Sequence, residues 1–181
     1  QESTRIVRQA RGVLITETKH GLICANSGVD LSNAPGEDLA VLLPLDPDAS
    51  AERIRAALGA ERAVIISDTF GRPWREGLVD VAIGVAGLAP LRDYIGQTDR
   101  AGRELQVTVM ARADQIAAAA GLLMEKDKGQ PAVWVEGVAI DSVDDMVVQG
   151  LVPDMTSPER AQRNVVKAIG KGLLKTISKM G

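Results

Sequence analysis

The chain has 181 residues, of which 45% are hydrophobic and 25% charged, the balance of a globular protein of one domain or two small ones. A formal net charge of -3 argues against a general nucleic-acid binder, whose affinity rests on clustered Lys and Arg. The single Cys24 cannot close an internal disulfide, and the single His20 excludes a multi-histidine metal centre. The lone cysteine makes a reducing cytoplasm the expectation; no apolar run reaches the roughly 18 residues of a membrane span, and the start of the chain lacks the apolar stretch of a signal peptide. Aromatics are only 2% of residues, so the core must be aliphatic.

In chain order, Val13 to Thr18 reads as a strand, Lys19-His20-Gly21 as a turn that leaves His20 exposed, and Leu22 to Ala25 as the returning strand of a hairpin. Cys24 then reads as a small core residue. The stretch Asn26 to Asp38 is rich in Gly, Asn, Ser and Pro and predicts a loop. Leu39 to Leu43 predicts a short buried strand. Asp46 to Ser50 offers a helix cap, and Ala51 to Leu58 a helix with Ile54, Ala57 and Leu58 on one face. Ala63 to Ile66 predicts a buried strand that ends at "SDTFGRPWREG", read as a polar loop over Ser67 to Gly77. Leu78 to Ala86 is a further strand, Arg92 to Gly102 a polar connection, Leu105 to Val109 a strand, Ala113 to Met124 a small-residue helix that must pack closely, and Pro131 to Val135 a strand. The mixture of hairpins and strand–helix alternation predicts an α/β, α+β-like fold with a mixed sheet. No Gly-x-Gly-x-x-Gly follows a strand, and no Walker A lysine loop is present.

The division expected is a core over residues 1–140 and an acidic linker with a C-terminal amphipathic helix over 141–181. In the latter, Ser157 can cap a helix with Pro158 at its first position. Val166, Ile169, Leu173, Ile177 and Met180 form a stripe, and Arg163, Lys167, Lys171, Lys175 and Lys179 recur at every fourth residue. Such a helix either docks on the core or a second subunit, with solvated lysines, or binds a surface through its basic face.

Two polar segments follow apolar strands, "NSGVDLSN" (Asn26 to Asn33) and "SDTFGRPWREG". Asp30 and Asp68 could give carboxylate oxygens, and Thr69 a hydroxyl or carbonyl, to a hard cation such as Mg²⁺ or Mn²⁺. Gly28 and Gly71 would let a ligand approach the backbone, and Arg72 and Arg75 could clamp phosphate or carboxylate. The bland reading of the same residues is turn and cap chemistry, with Trp74 a packing anchor. Downstream, "GLLMEKDKG" (Gly121 to Gly129) is either a solvated helix end or brings Glu125 to the same cleft.

Taken in order, four blocks resemble one family closely: "ETKHGLICANSGVDLSN", "LLPLDPDASAERIRAAL", "VIISDTFGRPWREGLVDVAIGVAGLAPL" and "GRELQVT". They look like coenzyme F420-0:L-glutamate ligase, from about Glu2 to about Gly137. The resemblance implies an unusual α/β fold forming an intertwined homodimer. It implies GTP-dependent amide ligation of L-glutamate to the phospholactyl tail of coenzyme F420-0 through an acyl phosphate. By position it makes Asp30 and Asp68 ligands of one divalent metal, Thr69 and Glu125 ligands of a second, and Asn33 a GTP contact. It admits a monovalent cation as well. Arg72 and Arg75 become candidate clamps for phosphate, glutamate or the tail, and Phe70 and Trp74 anchors that hold the motif in shape. Two departures stand out. The family's Leu-Pro loop and Ser-Lys segment have no counterpart, the chain opening instead at "QESTRIVRQARG", which looks like the end of a helix inside the family's chain, so a fragment or natural short form is expected. The stretch "MVVQGLVPDMTSPERAQRNVVKAIGKGLLKTISKMG" does not look like the family's usual ending. The alternative is a non-catalytic nucleotide-binding or assembly module that needs a partner or the missing half.

Overall fold

The computed structural model describes residues 2–10, 12–31, 39–127 and 129–139. Asn33 and the whole of 141–181, including the amphipathic helix, lie outside the described residues. The architecture is α+β, with every strand pair antiparallel and the strands in three separate sheets among the described residues. No helix among them is long and apolar enough to cross a membrane.

The first sheet runs β1 (Ser3–Ala10), β2 (Val13–Thr18), β3 (Ile23–Ala25). β1 corrects the reading of the opening segment as a helix end. It pairs along its length with β2, from Ala10↔Val13 to Ser3↔Thr18, in a segment whose polar residues give helix and strand no clear period. The expected hairpin is present: the Thr18 hydroxyl accepts from the His20 and Leu22 amides, 3.2 Å each, and ties the turn. His20 is half-buried rather than exposed, because its ring reaches the Leu45 carbonyl at 3.0 Å.

The centre of the molecule is one long hairpin, β4 (Val64–Arg72) and β5 (Arg75–Ala86). Its register slips between Ile66↔Gly84 and Ser67↔Ala82, a bulge that inserts Ile83. Helix α1 (Pro47–Leu58) covers one face, packing Ala51 and Ile54 on Val64, Ile66 and Ala86. Helix α2 (Arg112–Met124) covers the other, packing Ala113 and Ala117 on Ile65, Ala82 and Val85. Burial on both faces is why Ala63 to Ile66 is a continuous apolar run instead of an alternating one. The bulge is why Ala82 and Val85, an odd number of residues apart, face the same helix.

Both helices approach the strand closely. A Cβ at Gly84 would sit 2.4 Å from the Pro47 carbonyl oxygen, and one at Gly121 would sit 1.8 Å from Asp80 Oδ2. Each also places a first-turn aspartate on an amide of β5: Asp48 accepts from Val85 at 2.8 Å and Asp114 from Ala82 at 3.1 Å. Asp46 caps α1 by accepting from the Ala49 amide at 2.9 Å, with Pro47 at the first position. The buried face of α1 is Pro47, Ser50, Ala51 and Ile54, not the expected Ile54, Ala57 and Leu58; Leu58 is exposed at the helix end.

Three predicted strands do not form as read. Leu39 to Leu43 contributes a single bridge at Val41, with Leu39 and Leu42 exposed. Leu105 to Val109 shrinks to β7 (Val109–Met110), paired with β6 (Arg92–Asp93). Pro131 to Val135 is irregular, held at Trp134 by Arg62, whose guanidinium lies 4.3 Å from the ring centroid.

Candidate functional site

The "SDTFGRPWREG" motif is a strand, its turn and the start of the next strand, not a loop after a strand. Pro73 and Trp74 form the two-residue turn, closed by the Arg72↔Arg75 pair. Pro73 pre-sets the backbone angle of the turn, and Gly77, with φ +88, follows in a second register shift. Trp74 is therefore 77% exposed at the tip and anchors nothing in the described chain. Phe70, further in, lines the cavity described next.

This cavity of about 700 Å³ lies along the middle of β4. Residues 24–30 form one wall, 67–71 the floor, and the end of α2 with residues 129–131 the other wall. Gly28, Asp30, Asp68, Thr69 and Glu125 all line it. Arg72 and Arg75 do not: Arg72 Nη2 donates to the Glu76 carbonyl at 2.7 Å within the turn, and Arg75 is exposed at the tip.

Each residue is placed by local chemistry. Asn26 and Ser27 adopt positive φ, 51° and 57°, to turn the chain out of β3. The Asn26 side chain accepts from the Leu14 amide at 3.3 Å, and Ser27 Oγ meets Thr16 Oγ1 at 2.8 Å. Gly28, at φ +69, lets this turn pass over Leu43, whose side chain a Cβ would meet at 2.6 Å. Its missing side chain thus makes room for Leu43, while the residue itself lines the cavity. Asp30 is held by two backbone hydrogen bonds to Val41, 3.0 and 2.8 Å.

On β4, Asp68 and Thr69 are successive and point to opposite faces. Asp68 lies on the side of Cys24, and its Oδ1 accepts from the Thr69 amide at 2.9 Å. Burial, and secondarily the Asp68 carboxylate, pushes the Cys24 thiol up to about 11, so it stays protonated at neutral pH. Thr69 lies on the α2 side. Its hydroxyl donates to Asp80 Oδ1 at 2.6 Å and accepts from Lys126 Nζ at 2.5 Å.

Asp80 and Lys126 are the site residues that sequence reading missed. Asp80 stands directly across from Thr69 in the ladder, and an acidic residue between Val79 and Val81 in the otherwise apolar run Leu78 to Ala86 was the available signal. Lys126 carried no comparable signal, because a charge at a helix end is ordinarily solvated.

The cavity's donors are carboxylate, hydroxyl and backbone oxygens, suited to a hard cation. Among the described residues no three His, Cys, Asp or Glu side chains converge closely enough to hold an ion by themselves.

The cavity thus presents oxygen donors beside one antiparallel hairpin clad by two helices. Residues 1–137 match the F420-0:Gamma-glutamyl ligase family, and the chain belongs to it. It is 52% identical over 141 residues to the coenzyme F420:L-glutamate ligase of Methanothermobacter thermautotrophicus, covering 75% of this chain and 56% of that protein. It is 47% identical over 143 residues to the protein of the same name from Methanopyrus kandleri, covering 76% and 56%. The Natronomonas pharaonis ligase is 54% identical over 123 residues, covering 67% and 47%. The chain thus spans about half the length of the relatives it matches.

Proposed function

We propose that this chain carries the catalytic cavity of a ligase that joins L-glutamate to the phospholactyl tail of coenzyme F420-0, driven by GTP. The observation that carries the proposal is the meeting of Asp30, Asp68, Thr69 and Glu125, from three separate sequence blocks, on one cavity. Its volume of about 700 Å³ is in the range of small-molecule sites. The names of the relatives supply the glutamate and F420 half of the reading. GTP enters through the resemblance of the block bearing Asn33.

In this reaction the γ-phosphoryl group passes from GTP to the tail carboxylate, and GDP leaves. The glutamate amine attacks the acyl phosphate, the C–N bond forms, the C–O bond to phosphate breaks, and the amine proton passes to water. The oxygen donors suit Mg²⁺ or Mn²⁺, with Asp30 and Asp68 the residues that would hold it; a bound ion supplies charge neutralisation for the transferring phosphate. The chain's own part is positioning. Asp30 is fixed by its bridge to Val41, and Asp68 by its strand and its bond to the Thr69 amide. Lys126 adds a positive charge at Thr69. Prefixed geometry of this kind removes the need to reorganise dipoles during the transfer.

The test is incubation of the full-length protein with GTP, Mn²⁺, L-glutamate and F420-0, followed by mass spectrometry. A product heavier by one glutamyl residue is expected. Absence of that product beside an active control ligase overturns the proposal.

A further inference from the structure

We infer that Lys126 supplies a built-in cation on the Thr69–Asp80 face of the hairpin, in the place where a second divalent ion would otherwise stand. The inference rests on the metal reading just proposed and narrows it to a single exchangeable ion, on the Asp30–Asp68 side.

The hydrogen bonds define the arrangement. Lys126 Nζ donates to Thr69 Oγ1 at 2.5 Å, and Thr69 Oγ1 passes its own proton toward Asp80 Oδ1 at 2.6 Å. Ammonium, hydroxyl and carboxylate form a chain with a positive charge at one end and a negative charge at the other. The proton of Thr69 is committed to Asp80, so the hydroxyl faces the cavity as an acceptor, and the ammonium takes up one of its lone pairs. A divalent ion on the same oxygen would lie beside Nζ and be repelled by it.

Two features of the backbone bring the lysine in. Gly121 lets α2 touch Asp80, where any Cβ would lie 1.8 Å from Oδ2. Beyond Met124 the chain leaves the helix through Glu125 at φ +22, a conformation rare for a residue with a side chain. A glycine inside a helix and a strained residue at its end each disfavour an ordinary helix terminus. Together they direct Lys126 back across the cavity to a strand 57 residues earlier in the chain. Asp68 points to the other face of β4.

The test is Mn²⁺ binding to the full chain, read from the free-ion signal in electron paramagnetic resonance. Lys126→Met, which keeps the side chain's length and removes its charge, is expected to bind one more Mn²⁺ per chain than the wild type. Lys126→Arg, which keeps the charge, is expected to match the wild type. Circular dichroism checks that the variants are folded, and Lys126→Gln repeats the measurement should the methionine variant fail to fold. Equal Mn²⁺ binding by wild type and neutral variants, at one or more ions per chain, overturns the inference and leaves the metal reading standing. No Mn²⁺ on either overturns both.

Discussion

The inner and outer halves of the β4–β5 hairpin belong to one ribbon and live in opposite surroundings. The inner half, Val64 to Ile66 against Ala82 to Ala86, is buried on both faces by α1 and α2. The outer half, from Gly71 through Trp74 to Leu78, is mostly exposed. Asp68, Thr69 and Asp80 sit at the border, half-buried. A carboxylate there stays in reach of water and ligand, yet its backbone is held by a base that cannot shift. The position of the site thus follows from where the helices stop covering the strand.

The largest effect is expected at the border. Asp68→Ala should lower glutamate addition on the order of 10²–10³-fold, as for loss of a charge-stabilising group, while leaving the denaturation midpoint close to wild type. A midpoint that falls with the activity would move Asp68 from the site into the structural base.

The inner half should respond in the reverse sense. Gly84→Val must displace Pro47, and about 1–3 kcal/mol of stability should be lost to overpacking. Urea denaturation measures it, and unchanged stability would mean that α1 is not pressed on the strand as described.

The next effect is a pH dependence. Burial, opposed by the hydrogen bond from the Ala82 amide, raises Asp114 from 3.8 to about 6. Between those values the folded chain keeps a proton that the unfolded chain has lost, so this group's contribution to stability falls as pH rises through that window and is constant above it. Asp48 is shifted in the same direction, first by burial. Asp114→Asn keeps the acceptor for Ala82 and removes the charge. Its melting temperature should exceed the wild type's above pH 6 by the equivalent of about 1 kcal/mol, discounted for partial exposure, and the gap should close toward pH 4. A constant gap across that range would show that Asp114 does not titrate in the folded chain as described.

The smallest effect is expected at the tip. Trp74→Ala should change the stability of the isolated chain by no more than about 0.5 kcal/mol. A larger loss, read by the same urea titration, would show that the outer half is covered after all.

Much of the frame was legible in the chain itself. Pattern and punctuation located the β2–β3 hairpin, α1 with its Asp46 cap, and α2 with its need for close packing. The ordered blocks brought Asp30, Asp68 and Thr69 forward as candidates and the distance before Gly129 and Pro131 brought Glu125, and the structure places these four on one cavity. These readings rest on short-range rules, in which capping, turns and apolar periodicity are written within a dozen residues. What local signals misjudged was environment. The expected packing anchor Trp74 is exposed at the tip, and Arg72 and Arg75, expected from their bidentate guanidinium groups to clamp phosphate or carboxylate, lie outside the cavity lining. A continuous strand carries all three away to the tip.

The sequence by itself determined the element types around the site, the oxygen chemistry of its candidates and the family they belong to. Only the tertiary structure decided which residues share the cavity. Strand alternation divides Asp68 from Thr69, the cross-strand register recruits Asp80, and the end of α2 brings in Lys126. Those relations join positions 11 and 57 residues apart. No local periodicity encodes such a distance; it is set by how two helices pack on opposite faces of one bulged hairpin.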